Sequence, residues 1–233
     1  MQRVIRQGTN GTDPYQTMKN RMNQMALNLL PALVRDAQNQ PDPREAVVRL
    51  AIAGNLLDAG SKSRLELDDL PAVMQTLWTG PFSGCVADLF RAAEEAHCIL
   101  YLADNAGEII FDRLLIEALP AEKITVAVRG GPVLNDATLE DAEAAGIPEI
   151  SPVMDNGSDA PGTVLSDCST EFCEWYERAD LIIAKGQGNY ESLAGTAKNT
   201  FFLFTVKCPL IALAVGESVG TMVLKNVKNE EEG

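Results

Sequence analysis

The sequence predicts an α/β fold: a three-layer α/β/α sandwich on a mainly parallel, Rossmann-like sheet, preceded by a helical N-terminal section. Three observations point there. From Cys98 onward, short apolar runs rich in β-branched and aromatic residues recur without polar alternation, which suits strands buried on both faces. Stretches of helical length separate these runs, giving βαβ order and hence parallel neighbours. Before Cys98 the periodicity is helical. We therefore expect residues 1–97 to form a helical section packed on the site and residues 98–233 an α/β metal-binding core, within one continuous domain.

Along the chain, Met18, Met22, Met25 and Leu29 recur at helical spacing and predict an apolar stripe on a first helix. Pro41-Asp42-Pro43 ends it, and Asp42 is placed to cap a second helix with Pro43 at its first position and Glu45 at the third. That helix is expected to run to Gly60, with further helices at Leu70–Trp78 and Cys85–Ala96. The strands expected next are 98–103 (CILYLA), 124–128 (ITVAV), 149–153 (EISPV), 181–184 (LIIA) and 201–206 (FFLFTV), with a sixth at 220–225 (GTMVLK). Helices are expected between them at Ala106–Leu119, Thr138–Ala145, Ser169–Arg178 and Asn189–Ala197.

Composition narrows the chemistry. The chain has 233 residues with 19 basic and 33 acidic side chains, a formal charge of −14 that would repel a nucleic acid. No apolar run reaches the ~18 residues of a membrane helix, and the start lacks the apolar core of a signal peptide. The five cysteines are odd in number and scattered, which argues for a reducing cytoplasm rather than a disulfide framework. The single histidine, His97, excludes multi-histidine metal sites and makes a Ser-His-Asp triad improbable, because it sits at a helix–strand junction where a structural role is expected. Cys85 and Arg91 have the bare spacing of a tyrosine-phosphatase loop but lack its glycines and fall in a helical pattern. Gly186-Gln187-Gly188 is no dinucleotide fingerprint, and Cys168 and Cys173 lack a partner pair for zinc.

The functional signal lies in the loops that leave the strands, because ligands of open parallel sheets sit outside the strands' carboxyl ends. Asp104-Asn105-Ala106-Gly107-Glu108 comes after the first strand and Arg129-Gly130-Gly131 through Asp136 after the second. Asp155-Asn156-Gly157-Ser158-Asp159 comes after the third, and Lys185-Gly186-Gln187-Gly188-Asn189 after the fourth. Each loop mixes glycine with acid, amide or lysine, so that backbone amides can approach a ligand that polar groups orient. Plainer readings stand beside this one: Asp104 or Asn105 as a helix cap, Asp136 as the cap of the helix at Thr138, Lys185–Asn189 as a glycine turn, and Asn55 with Asp58 as a structural pair. Asp104, Asn105 and Asp136 offer hard oxygens without sulfur or imidazole, which points to Mg2+ or Mn2+. With Lys185, such an ion would make an acidic protein receptive to a phosphate ester, and Gly186 and Asn189 beside Lys185 are candidate substrate contacts.

Taken together, DNAGEIIFDRLLIEAL, VRGGPVLNDAT, NGSDAPGT and AKGQGNYESL resemble, in this order, the DUF89 family of damage-control metal-dependent phosphatases, in its archaeal-type branch. DPY near the start, AGNLLDAG, and VKCPLIALAVGESVGTMVLK also fit. The resemblance implies a three-layer α/β/α fold carrying one divalent metal (Mg2+, Mn2+, Co2+ or Ni2+). It implies hydrolysis of phosphomonoesters of small metabolites, such as sugar phosphates or damaged and side-product metabolites. By similarity, Asp104, Asn105 and Asp136 would hold the metal and Lys185 would contact the phosphate, while Asn55 and Asp159 would line the pocket. Asp104, Lys185 and Asp159 would be the catalytic groups; whether water or Asp104 attacks phosphorus stays open at this level. Members usually carry a further helical segment ahead of the DPY region, so this chain is expected to begin partway through. Two alternatives are a non-catalytic protein that binds a phosphometabolite and, lower, a protein-carboxylate methyltransferase, for which no cofactor loop is visible.

Overall fold

The computed structural model describes residues 13–54 and 76–227. Its strands are β1 (Phe82–Ser83), β2 (Ile99–Leu102), β3 (Ile124–Val128), β4 (Val153–Asp155), β5 (Leu181–Lys185), β6 (Thr200–Thr205) and β7 (Met222–Asn226). They form one seven-stranded sheet in the order β1-β7-β6-β5-β2-β3-β4. All neighbours are parallel except β6 and β7, which pair antiparallel from Phe201–Asn226 to Thr205–Met222.

The described helices are α1 (Gln16–Gln38), α2 (Pro43–Ala53), α3 (Val86–Glu95), α4 (Glu108–Ala118), α5 (Leu139–Ala144), α6 (Thr170–Arg178), α7 (Gly186–Leu193) and α8 (Pro209–Val215). Alternation along the strands sorts the core into two layers. Ile99, Tyr101, Val126, Ile183 and Leu203 pack with Leu33 of α1, Ile52 of α2, Leu89 of α3 and Phe111 of α4. Leu100, Leu102, Ile182, Phe202 and Phe204 face the other way, onto Phe172 of α6, Tyr190 of α7 and Ile211 of α8. The central strands are buried on both faces, as their unbroken apolar runs require. This is the expected three-layer α/β/α architecture.

Several elements differ from expectation. Strand β4 lies at Val153–Asp155, while Ile147–Glu149 is a 3₁₀ turn; Pro148 sits at its second position, and Pro152 has no N–H for a ladder. Strand β1 joins the sheet from within the section expected to be helical, and α8 was not expected. The helix after β5 begins at Gly186 rather than Asn189. On α1 the buried stripe is Lys19, Asn23, Ala26, Leu29, Leu33 and Ala37, whereas Met18 is exposed. Asp42 does cap α2, accepting from Arg44 N at 2.9 Å and Glu45 N at 3.2 Å, with Pro43 first in the helix. The expected run of α2 to Gly60 and most of the helix at Leu70–Trp78 lie outside the described residues, although residues 76–79 are helical.

Candidate active site

The chain crosses from one side of β2 to the other between β3–β4 and β5–β6, so the sheet's switch point lies between β2 and β5. Asp104 leaves β2 there and Gly186 leaves β5. The two meet closely: a Cβ on Gly186 would lie 2.0 Å from Asp104 Oδ2, and Gly186 has φ of 79°. Only a glycine lets that carboxylate rest against the head of α7.

On the other flank the exits of β2 and β3 zip together. Ala106 N donates to Asn135 O and Ala137 N to Asp104 O, both at 2.8 Å, making an antiparallel bridge between Asn105 and Asp136. Asp104, Asn105 and Asp136 are therefore brought together, although 31 positions of chain separate Asn105 from Asp136. The capping alternatives fall away for these residues. Gly107 occupies the cap position of α4, with its N–H held by Asn23 Oδ1 at 2.6 Å, and Thr138 caps α5 in a capping box with Asp141.

The electrostatics are those of a buried acidic cluster. Asp136 is 6 % exposed. Burial pushes its carboxyl up to about 6, Asp104 adds to the rise, and Arg129 opposes it. Arg129 Nε donates to Asp136 Oδ2 at 2.7 Å, and its two terminal nitrogens reach Thr163 Oγ1 and Asn189 Oδ1. Asn105 Nδ2 donates to Asp104 Oδ2 at 2.6 Å and Glu108 Oε2 at 3.2 Å. Two carboxylates and a carboxamide at adjoining strand ends are hard-oxygen donors that fit a divalent ion. No three Asp, Glu, His or Cys side chains cluster as a metal cage among the described residues; the third oxygen donor beside Asp104 and Asp136 is the Asn105 carboxamide.

Lys185 is not placed as expected. It is fully buried, and its ammonium donates to Ala51 O at 2.6 Å, Glu108 Oε1 at 2.6 Å and Asp112 Oδ1 at 2.5 Å. Its three N–H groups are thus committed inside the protein, and no donor remains for a phosphate in this arrangement. Burial alone would lower this lysine, but Asp112 and Glu108 outweigh it and hold it above its ordinary value. Burial also raises Glu108 and Asp112, against the pull of the Lys185 ammonium bonded to both.

Asn189 likewise is not a loop residue. It sits fully buried inside α7, accepting from Thr163 and Arg129 and donating to Lys185 O at 2.8 Å, which makes it a brace between loops. Asp159 is half-buried in the loop after β4, next to Ser158, whose hydroxyl holds Asp167. Asn55 lies outside the described residues. Sequence reasoning missed Arg129 and Glu108 as site residues. The available signal was a cation at the exit of a buried strand in an acidic chain, and an acid three positions after Asn105.

The other candidates are excluded by placement. His97 is exposed at the opposite end of β2, where its backbone N–H donates to Asp180. Arg91 pairs with Asp88 along α3, so Cys85 and Arg91 form no anion loop. Burial pushes the Cys168 thiol up to about 11, away from a reactive thiolate. A cleft of about 440 Å³ opens beside Arg129, lined also by Asp13, Gln16, Gly130, Thr138 and Asp155.

Fold and site together define an α/β protein with a hard-oxygen donor set at the sheet's switch point. The chain belongs to the family of damage-control phosphatase ARMT1-like domains, whose model matches residues 1–223. It is 36% identical to a damage-control phosphatase of Archaeoglobus fulgidus, over 93% of this chain and 76% of that one. A damage-control phosphatase of Pyrococcus horikoshii is 36% identical over 77% of this chain and 63% of its own. The crystal structure of a DUF89 family protein from P. horikoshii superposes with a TM-score of 0.82 at 31% identity, covering 97% of this chain and 79% of that one.

Proposed function

We propose that the protein is a metal-dependent phosphatase that hydrolyses phosphomonoesters of small metabolites, with Asp104, Asn105 and Asp136 holding Mg2+ or Mn2+; Co2+ or Ni2+ would also suit these donors. The observation that carries this reading is the bridge that sets Asp136 beside Asp104 and Asn105, in a chain whose relatives are named damage-control phosphatases. When bound, the ion supplies a Lewis acid that polarises the phosphoryl group and lowers the pKa of water.

The chain's own residues do the rest. Asp104 rests on Gly186 at the N-terminus of α7, where backbone amides favour an anion. Arg129 holds Asp136 in place and faces the 440 Å³ cleft, which we assign to the non-phosphate part of the substrate. Lys185 contributes from beneath, through Glu108, rather than by touching the ester. All five cysteines are free thiols, which fits the reducing cytoplasm in which we place the protein. Among the described residues no helix is long and apolar enough to cross a membrane.

The test is p-nitrophenyl phosphate turnover by metal-stripped protein with single divalent ions restored. Activity should appear only with metal and drop by about 100-fold or more in Asp104→Ala. Turnover that survives chelation or the substitution defeats the proposal. Tight binding of a phosphate ester without release of inorganic phosphate under any metal would favour a binding protein instead.

A further inference from the structure

A carboxamide can serve a cation only through its oxygen, so a site that uses an asparagine must decide which way round the amide lies. At Asn105 the decision is made by two acids. Nδ2 donates one N–H to Asp104 Oδ2 at 2.6 Å and the other to Glu108 Oε2 at 3.2 Å. Turned over, the amide would set its oxygen against both carboxylates. Asp104 cannot make this choice alone, because in the family reading it is itself a ligand whose oxygens the cation draws on. Glu108 is different: it is 1 % exposed, is not one of the ligands of that reading, and its other oxygen is held by Lys185.

Glu108 is held on every side. Its Oε1 accepts from Lys185 Nζ at 2.6 Å, and that ammonium is pinned in turn by Asp112 Oδ1 and Ala51 O. Asp112 Oδ1 also accepts the Tyr101 hydroxyl at 2.8 Å. Gly54 packs so close that a Cβ there would lie 2.6 Å from Glu108 Cα. A buried chain of hydrogen bonds thus runs from Tyr101 through Asp112, Lys185 and Glu108 to the Asn105 amide. Such an arrangement costs desolvation, and a fold needing only hydrophobic contact would have no use for it.

We propose that Glu108 is a positioning residue: it fixes the Asn105 carboxamide with its oxygen presented to the cation, and Lys185 acts on the site by orienting Glu108. This rests on the reading of Asn105 as a metal ligand. It makes a sharp statement about an isosteric change. In Glu108→Gln, Lys185 still claims the side-chain oxygen, so the new amide group faces Asn105 as a donor and turns it over. A nitrogen then meets the cation although shape and packing are kept.

Mn2+ binding to the metal-free protein, followed by calorimetry or electron paramagnetic resonance without substrate, tests this. Glu108→Gln should weaken Mn2+ about 10- to 100-fold with little change in Tm. An aspartate at position 105 has oxygen at both ends and no wrong way round. Asn105→Asp/Glu108→Gln should therefore bind Mn2+ at least tenfold more tightly than Glu108→Gln alone. Native-like Mn2+ affinity in Glu108→Gln, while Asn105→Ala binds weakly, overturns the positioning role and leaves the metal site standing. Mn2+ binding untouched by both Asn105→Ala and Asp104→Ala overturns the metal site itself. Should Glu108→Gln not fold, the side-chain amide of Asn105 in the ¹⁵N spectrum of the metal-free native protein decides: two protected, hydrogen-bonded protons are required, and rapid exchange of either refutes the proposal.

Discussion

At Gly186 two demands coincide, a left-handed backbone and the absence of a side chain. Its φ of 79° and the Asp104 carboxylate 2.0 Å from any Cβ leave no room for alanine. Gly186→Ala should lower the unfolding free energy by at least about 1 kcal/mol in urea denaturation, from the left-handed backbone alone. It should also weaken Mn2+ binding, because Asp104 has to move. Asp180 makes a quieter case at the other end of the sheet. Burial works to raise its carboxyl, but backbone N–H groups of His97 and Cys98, at 2.9 and 3.0 Å, hold it below its ordinary value. Its stabilisation is therefore present above the unfolded value and is lost as pH falls through the lower folded one. Asp180→Ala should cost about 0.5–1 kcal/mol at pH 7. Denaturation midpoints of the two proteins should converge below about pH 4.

Among the elements, α1 is the instructive one, since its inward face carries charge and amide as well as apolar groups. Lys19 is fully buried and reaches Asp141 Oδ2 at 2.8 Å and Thr138 Oγ1 at 3.0 Å; Asn23 joins Asp141 Oδ1 to Gly107 N. These contacts anchor α1 on α5 and on the turn that carries Asn105. Removing one partner leaves a buried charge uncompensated, so Lys19→Met should destabilise by about 3 kcal/mol in urea denaturation. A surface role for Lys19 would predict no change. By contrast α8 turns Leu210 (74 %) and Leu213 (83 %) to solvent. Leu213→Gln should change the stability of the monomer by less than about 0.5 kcal/mol in the same measurement. Of the stripe expected on α1, Leu29 is buried and Met25 packs against the core, but Met18 is exposed and the inward positions beside the methionines are Lys19, Asn23 and Ala26. Only the partners on α5 and α4 reveal why a lysine and an asparagine face inward.

For the whole molecule, the sheet sets a gradient of stability. Strands β2 and β5 are paired on both sides and covered on both faces, whereas β1 and β4 are short edges. Amide exchange of β2 and β5 should need near-global unfolding, and β1 and β4 should exchange through smaller openings; comparable protection across the sheet would contradict this. The layer order and the strand-end location of the site were legible in the sequence, because buried parallel strands leave unmistakable apolar runs and their exits are where polar loops collect. What Lys185, Asn189 and Arg129 do was not. Lys185 ends an apolar strand and looks like a cation offered to a ligand. Whether it faces solvent or acids depends on Glu108 and Asp112, which lie 77 and 73 positions away. The same holds for Arg129, whose partners come from two loops and from α7. By itself, then, the chain's order of residues determined the α/β class, the chain's place in its family and the pair of strand exits that carry Asp104, Asn105 and Asp136, since these are matters of local pattern. Only the tertiary structure decided which charges neutralise one another, because pairing energies depend on distances through space that no local stretch of sequence encodes.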